Sequence, residues 1–166
     1  MSRLFFSMLA VVPLWACELK DPCEDAGQYE TALALGVGER SFDILMDGDA
    51  LDAEQGGQGS SHVWIAAEMS GLYTGRKFGG SAEHQPPEFV VTLTNDVGDE
   101  LGYGATNTSV PDGDASLAEL TGLRLFLEFA GYGAPTGPED RSLGILTLEA
   151  RDSCGTELRD ERLVSL

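Results

Sequence analysis

Asp47, Asp49 and Asp52 place three carboxylates within six residues, with Asp43 just before them. Calcium takes clustered hard oxygens of this kind. The EF-hand order is not met, because Leu45 stands where a second acid would follow Asp43. Asp47-Gly48-Asp49 reads equally as a turn, since aspartate beside glycine suits tight chain reversal. Asp96 with Asp99, and Asp112 with Asp114, pose the same choice. For a softer ion such as copper, the non-cysteine donors are His62, His84, Met46 and Met69. A strand through His62 and Met69 would turn them to opposite faces. His62 and Trp64 would instead share a face and form a binding patch for a peptide or sugar, extended by Tyr73, Tyr103 and Phe126. The alternative is that Trp64 is buried as a core tryptophan.

Catalytic patterns are scarce. Ser60-Ser61-His62 sets hydroxyls beside an imidazole, but adjacency in sequence is not triad geometry. The sequence contains neither a G-x-S-x-G elbow nor an H-E-x-x-H helix. Gly56-Gly57-Gln58-Gly59 lacks the lysine of a phosphate loop. Glu68 could pair with Asp96 or Glu128 as glycosidase carboxylates only if folding brought them together. The residues therefore suggest contact more than catalysis, with a hydrolase as the remotest reading.

The whole chain carries a formal charge of -18. Such a surface repels nucleic acid and anionic headgroups, so nucleic acid is excluded as a partner. Twenty-one glycines and seven prolines among 166 residues favour many turns over long helices.

Met1-Ser2-Arg3 precedes an uncharged run from Leu4 to Trp15. One positive residue before a short apolar stretch is the signal-peptide pattern. The stretch is shorter than the roughly 20 residues a membrane-spanning helix needs. Its end, Leu14-Trp15-Ala16-Cys17, resembles the bacterial lipobox, with Trp15 where a small residue is usual. That resemblance implies cleavage after Ala16 and acylation of Cys17. The expected organisation is a signal peptide over 1–16, a tether over 17–32 and a folded domain over 33–166. The expected location is the bacterial cell envelope, with the lipid bilayer as a partner. An ordinary secretory signal cut near Ala16 would leave Cys17 free to pair.

Three cysteines are an odd number for an exported chain. If Cys17 carries lipid, Cys23 and Cys154 remain as one pair in an oxidising compartment. Neither belongs to a C-x-x-C motif that would favour a metal.

The rest of the chain alternates in short segments. Val63, Ile65, Ala67 and Met69 share one face, and His62, Trp64, Ala66 and Glu68 the other. Phe89, Val91 and Leu93 oppose Val90, Thr92 and Thr94, and β-branched content favours strand. Leu117, Leu120, Leu123 and Leu127 have near-helical spacing, whereas Leu123, Leu125 and Leu127 alternate with Arg124 and Phe126. The expectation is a strand from Leu123, preceded by a helical turn. Leu143 to Ala150 is a further strand, followed by a turn at Asp152-Ser153-Cys154-Gly155 and a final strand ending the chain.

The segment Leu146-Thr147-Leu148-Glu149-Ala150, the Asp152–Gly155 turn and Leu163-Val164-Ser165-Leu166 resemble the last hairpin of immunoglobulin-like domains in bacterial surface proteins. With Gln58-Gly59-Ser60-Ser61-His62-Val63-Trp64, the chain also resembles small envelope lipoproteins of uncharacterised function. Seven or eight short strands with frequent turns point to a β-sandwich or a small barrel, and the resemblance implies the first, an all-β, immunoglobulin-like β-sandwich of about seven to eight strands. The functional expectation is a lipid-anchored interaction or structural module with a protein or glycan ligand. A calcium- or copper-binding envelope protein is the alternative.

Overall fold

The computed structural model describes residues 22–56, 60–75, 85–108, 116–128 and 142–166. A short helix, α1 (Pro22–Ala26), leads into nine strands among these residues: β1 (Ala32–Val37), β2 (Asp43–Ile44), β3 (Glu54–Gln55), β4 (Ser61–Ser70), β5 (Glu88–Asn95), β6 (Glu100–Asn107), β7 (Ala118–Leu127), β8 (Leu143–Arg151) and β9 (Glu157–Ser165). The expected signal segment, Cys17, His84, the Gly57–Gly59 stretch and the Asp112/Asp114 pair lie outside the described residues.

The sandwich expectation is overturned. The strands form one antiparallel sheet in the order β2-β1-β4-β7-β6-β5-β8-β9, with β3 paired to β4. The sheet curls into an open half-barrel, so its one concave face encloses the core that two sheets would share in an immunoglobulin-like domain. Long, continuous ladders favour this arrangement. All eight residues of β5 pair with β8, and all nine of β8 pair with β9.

Curvature has visible sources. Between the pairs Ile65–Leu123 and Ala67–Leu120, two residues of β7 oppose the single Ala66. This is a β-bulge, and Gly122 adopts φ +75° within it. The bulge turns Leu120 and Leu123 to the same concave side, where both are buried. Their three-residue spacing, which suggested a helical turn, comes from this extra residue. The helical expectation for that segment is therefore corrected to strand.

On β6, Gly102 and Gly104 face inward and let the strand lie close against β7. A Cβ at Gly102 would come within 2.8 Å of the Phe126 carbonyl oxygen, and one at Gly104 would overlap that of Arg124. Gly104→Ala is expected to cost about 2–3 kcal/mol, because backbone must shift to admit the methyl. Urea denaturation of the variant beside wild type measures it.

The concave face holds Leu35, Ile65, Met69, Phe89, Leu125 and Leu148, all fully buried within one hydrophobic cluster. The sheet's two ends meet through side chains and one loop. The Leu35 amide of β1 donates to Asp160 Oδ2 of β9 at 2.8 Å. Arg162 Nε, also from β9, donates to the Leu45 carbonyl at 3.1 Å. Residues 48–51 run along the outer edge of β9, with Gly48 N–H donating to Leu163 O and Leu51 N–H to Ser165 O. The edge that would otherwise offer unpaired backbone groups is thereby covered over this stretch.

Cys23 of α1 is bonded to Cys154 of the β8–β9 turn, across 131 residues of sequence. The pairing expected from the cysteine count is present. Around Cys23 the chain before β1 forms α1, whose Ala26 is buried.

The convex side of β8 and β9 carries a ladder of charges. Arg159 bridges Glu149 and Glu161, and Arg151 pairs with Glu157. The Arg159 hydrogen bond, then its charge, holds the Glu161 carboxyl below the ordinary glutamate value, and the Thr147 hydroxyl adds to this. A depressed folded-state pKa means the contribution is whole above the unfolded value. It is lost as pH falls through the folded one. Stability measured from about pH 7 to about pH 3 should therefore fall slightly more steeply in wild type than in Glu161→Gln. The effect is small because these groups are solvent-exposed.

Candidate functional site

The convex face of β4, β7 and β6 gathers the aromatic residues. Strand alternation sends Val63, Ile65 and Ala67 inward, so His62 and Trp64 project outward, as the sequence pattern required. Antiparallel register then sets His62 opposite Phe126, and Phe126 opposite Tyr103. Trp64 stands opposite Arg124, and Glu54 of β3 opposite His62. One row of side chains thus crosses four strands: Glu54, His62, Phe126 and Tyr103. Trp64 and Arg124 form the adjoining pair.

These groups touch. The His62 and Trp64 rings meet edge-on, with centroids 4.9 Å apart and an interplanar angle of 87°. Phe126 lies 6.3 Å from His62. The Arg124 guanidinium stacks 4.6 Å from the Trp64 ring centroid, a cation–π contact that fixes the indole from one side. Trp64 Nε1 donates to Glu54 Oε2 at 3.0 Å, which fixes it from another.

Phe126 and Tyr103 remain 46% exposed. Two large rings side by side on solvent, backed by a tryptophan held on two sides, form a firm apolar contact surface with polar edges. His62 differs from its neighbours in being only 8% exposed. Its Nε2 is buried and lacks a hydrogen-bond partner among the described residues. An imidazole nitrogen left unsatisfied in this way costs about 1–3 kcal/mol.

Of the residues expected to extend the patch, Phe126 and Tyr103 do so. Tyr73 does not: it is buried, its amide donates to Asp152 Oδ2 at 2.8 Å, and burial pushes its phenol pKa up. Trp64 is half-buried on the convex face rather than in the concave core. Sequence reasoning missed Arg124 and Glu54. Arg124 shares the two-residue phase of Phe126 and could have been found from it. Glu54 has no such signal, because it reaches the row from a two-residue strand beyond a loop.

The aspartates proposed for calcium serve the backbone. Asp47 Oδ1 accepts from the Leu163 amide at 2.9 Å, and Asp49 Oδ2 from the Met46 amide at 2.8 Å. Asp52 is exposed beyond them. Among the described residues no group of three or more His, Cys, Asp or Glu side chains gathers in a metal-binding arrangement. Met69 lies in the core, opposite in facing to His62, as the alternation required.

Neither the protein-family models nor the curated proteins compared with the chain give a match. Among solved structures, the chain is similar to the crystal structure of a DUF4466 family protein from Parabacteroides merdae, at 13% identity and a TM-score of 0.28. The similarity covers 79% of this chain but 43% of that one, so the chain spans less than half of that protein's length. The all-β character of the chain rests on its own strands. Among the described residues, no helix is long and apolar enough to cross a membrane.

Proposed function

We propose that this chain is an interaction module of the cell envelope, anchored at Cys17, that holds its ligand on the convex aromatic face. The supporting observation is the exposed Phe126–Tyr103 pair, continuous with His62 and the braced Trp64. Tryptophan and tyrosine on rigid strands give much contact area with little ordering cost. The ligand that suits them presents a flat apolar face with polar edges, such as a sugar ring or a peptide side chain.

The position of the face fits an anchored protein. The disulfide ties the N-terminal segment to the β8–β9 turn, beside Arg151. Strand register puts Glu88, Asn107 and Ala118 at that end. Tyr103 and Phe126 lie toward the opposite end, near Glu100 and Leu127. Tyr103 and Phe126 thus lie toward the strand ends opposite the one to which the disulfide ties the N-terminal segment.

The test is a glycan and peptide array probed with the disulfide-bonded protein, repeated with Phe126→Ser/Tyr103→Ser. The expected result is ligand capture that weakens about tenfold or more in the variant, with an unchanged melting temperature. Equal capture by both proteins would refute the reading.

A further inference from the structure

A second apolar surface lies at the same end of the sheet but on β8 and β9. Below the charge ladder, the outward residues change character. Thr147 and Glu161 are followed on this face by the directly paired Ile145 and Leu163, then by Leu143. The loop bonded to the β9 edge carries a further exposed apolar residue, Met46, next in sequence to the Asp47 that is bonded to Leu163. These four side chains are 40–59% exposed. Exposed apolar residues scattered singly are ordinary, but a contiguous strip on a rigid sheet marks a contact surface.

The charges beside the strip identify its occupant. Asp47 is hydrogen-bonded to the backbone of Leu163, and Asp49 to the backbone of Met46. Two exposed carboxylates are therefore held at the strip's margin, with Asp43 also exposed nearby in sequence. Among the described residues, the arginines of β9 are already engaged: Arg162 is bound to Asp160 and to the carbonyls of Leu45 and Glu161, and Arg159 to Glu149 and Glu161. An apolar strip with an acidic margin complements a segment that is apolar on one face and basic around it.

We propose that the Leu143–Ile145–Leu163 strip, with Met46 on the adjoining loop, docks a cationic amphipathic segment of a partner protein. A second copy of this chain fits poorly, because each chain carries -18 and its strip has the same acidic margin. An anionic lipid surface is repelled by the same carboxylates. The proposal is independent of the aromatic face, which lies across β5 on other strands.

Fluorescence anisotropy with the disulfide-bonded protein tests it. The probe is a labelled helical peptide of leucine and lysine with one apolar face. A scrambled peptide of identical composition without that face serves as its control. The amphipathic peptide should bind about tenfold more tightly than the scrambled one. Ile145→Ser/Leu163→Ser should weaken it by about tenfold. Asp47→Asn/Asp49→Asn, which keeps a carbonyl acceptor at each site, should flatten the salt dependence. Phe126→Ser/Tyr103→Ser should leave this binding unchanged, which separates the strip from the aromatic face. Equal binding of both peptides would mean attraction by net charge alone and would overturn the proposal. So would unchanged affinity in the Ile145/Leu163 variant. A dimer seen by sedimentation in wild type and lost in that variant would assign the strip to self-association instead.

Discussion

Reducing the Cys23–Cys154 bond is expected to produce the largest loss of stability of any single change, about 4–5 kcal/mol. The bond closes 131 residues of sequence separation, almost the whole described sheet. A cross-link of that span removes much of the unfolded chain's freedom, and the entropy so removed grows with the logarithm of loop length. In the folded state it pins α1 against the β8–β9 turn. Without it, the segment before β1 keeps the buried Ala26 and the bond that the Ser70 hydroxyl of β4 donates to the Glu30 carbonyl at 2.7 Å. Calorimetry of wild type beside Cys23→Ser/Cys154→Ser should show a melting temperature lower by roughly 10–20 °C, with the same strand content before the transition. A difference of only a degree or two would mean that the unfolded chain is already compact, and the entropic argument would fail.

The second large effect is expected at Asp152, which is 5% exposed and adjoins that bond. Its Oδ1 accepts from the amides of Cys154 and Thr156, and its Oδ2 from that of Tyr73. One carboxylate thus shapes the turn and fastens it to the segment after β4. Asp152→Ala would leave these amides without their acceptor, at about 3–4 kcal/mol in total. Asp152→Asn should cost about half as much. Its carbonyl oxygen can still serve Cys154 and Thr156, but its amide would face the Tyr73 N–H as a second donor. Denaturant midpoints of the two variants give that ordering. Because Cys154 belongs to both features, the loss in an Asp152→Ala protein lacking the disulfide should differ from the sum of the separate losses.

Local features were the readable ones. The alternation in His62–Met69 assigned both faces of β4, because side-chain direction in a strand follows directly from position in the chain. The Asp152–Gly155 turn was readable for the same reason, since Gly155 adopts φ +87°, which glycine takes without strain. The Cys23–Cys154 pairing followed from counting, once Cys17 was set aside. The aromatic face was half readable: His62, Trp64, Phe126 and Tyr103 were candidates, but their order along one row depends on register between strands. Register also decided what Asp47 and Asp49 do. In sequence they form an acidic cluster, whereas in the fold they hold the 45–51 loop to β9 and to itself.

The sequence by itself determined an all-β chain with an apolar and a polar side to each strand, one cysteine pair and a strongly acidic surface. These depend on residue type and spacing, which act over a few residues. Only the tertiary structure decided that the strands form one curled sheet instead of two facing ones. That choice depends on which strands pair, on the Thr121-Gly122 bulge opposite Ala66, and on the close approach allowed by Gly102 and Gly104. It also depends on the meeting of the sheet ends through Leu35, Asp160 and Arg162. Each of these joins residues distant in the chain. Alternating apolar residues supply the same buried face to a sandwich and to a half-barrel, so the pattern alone does not distinguish them.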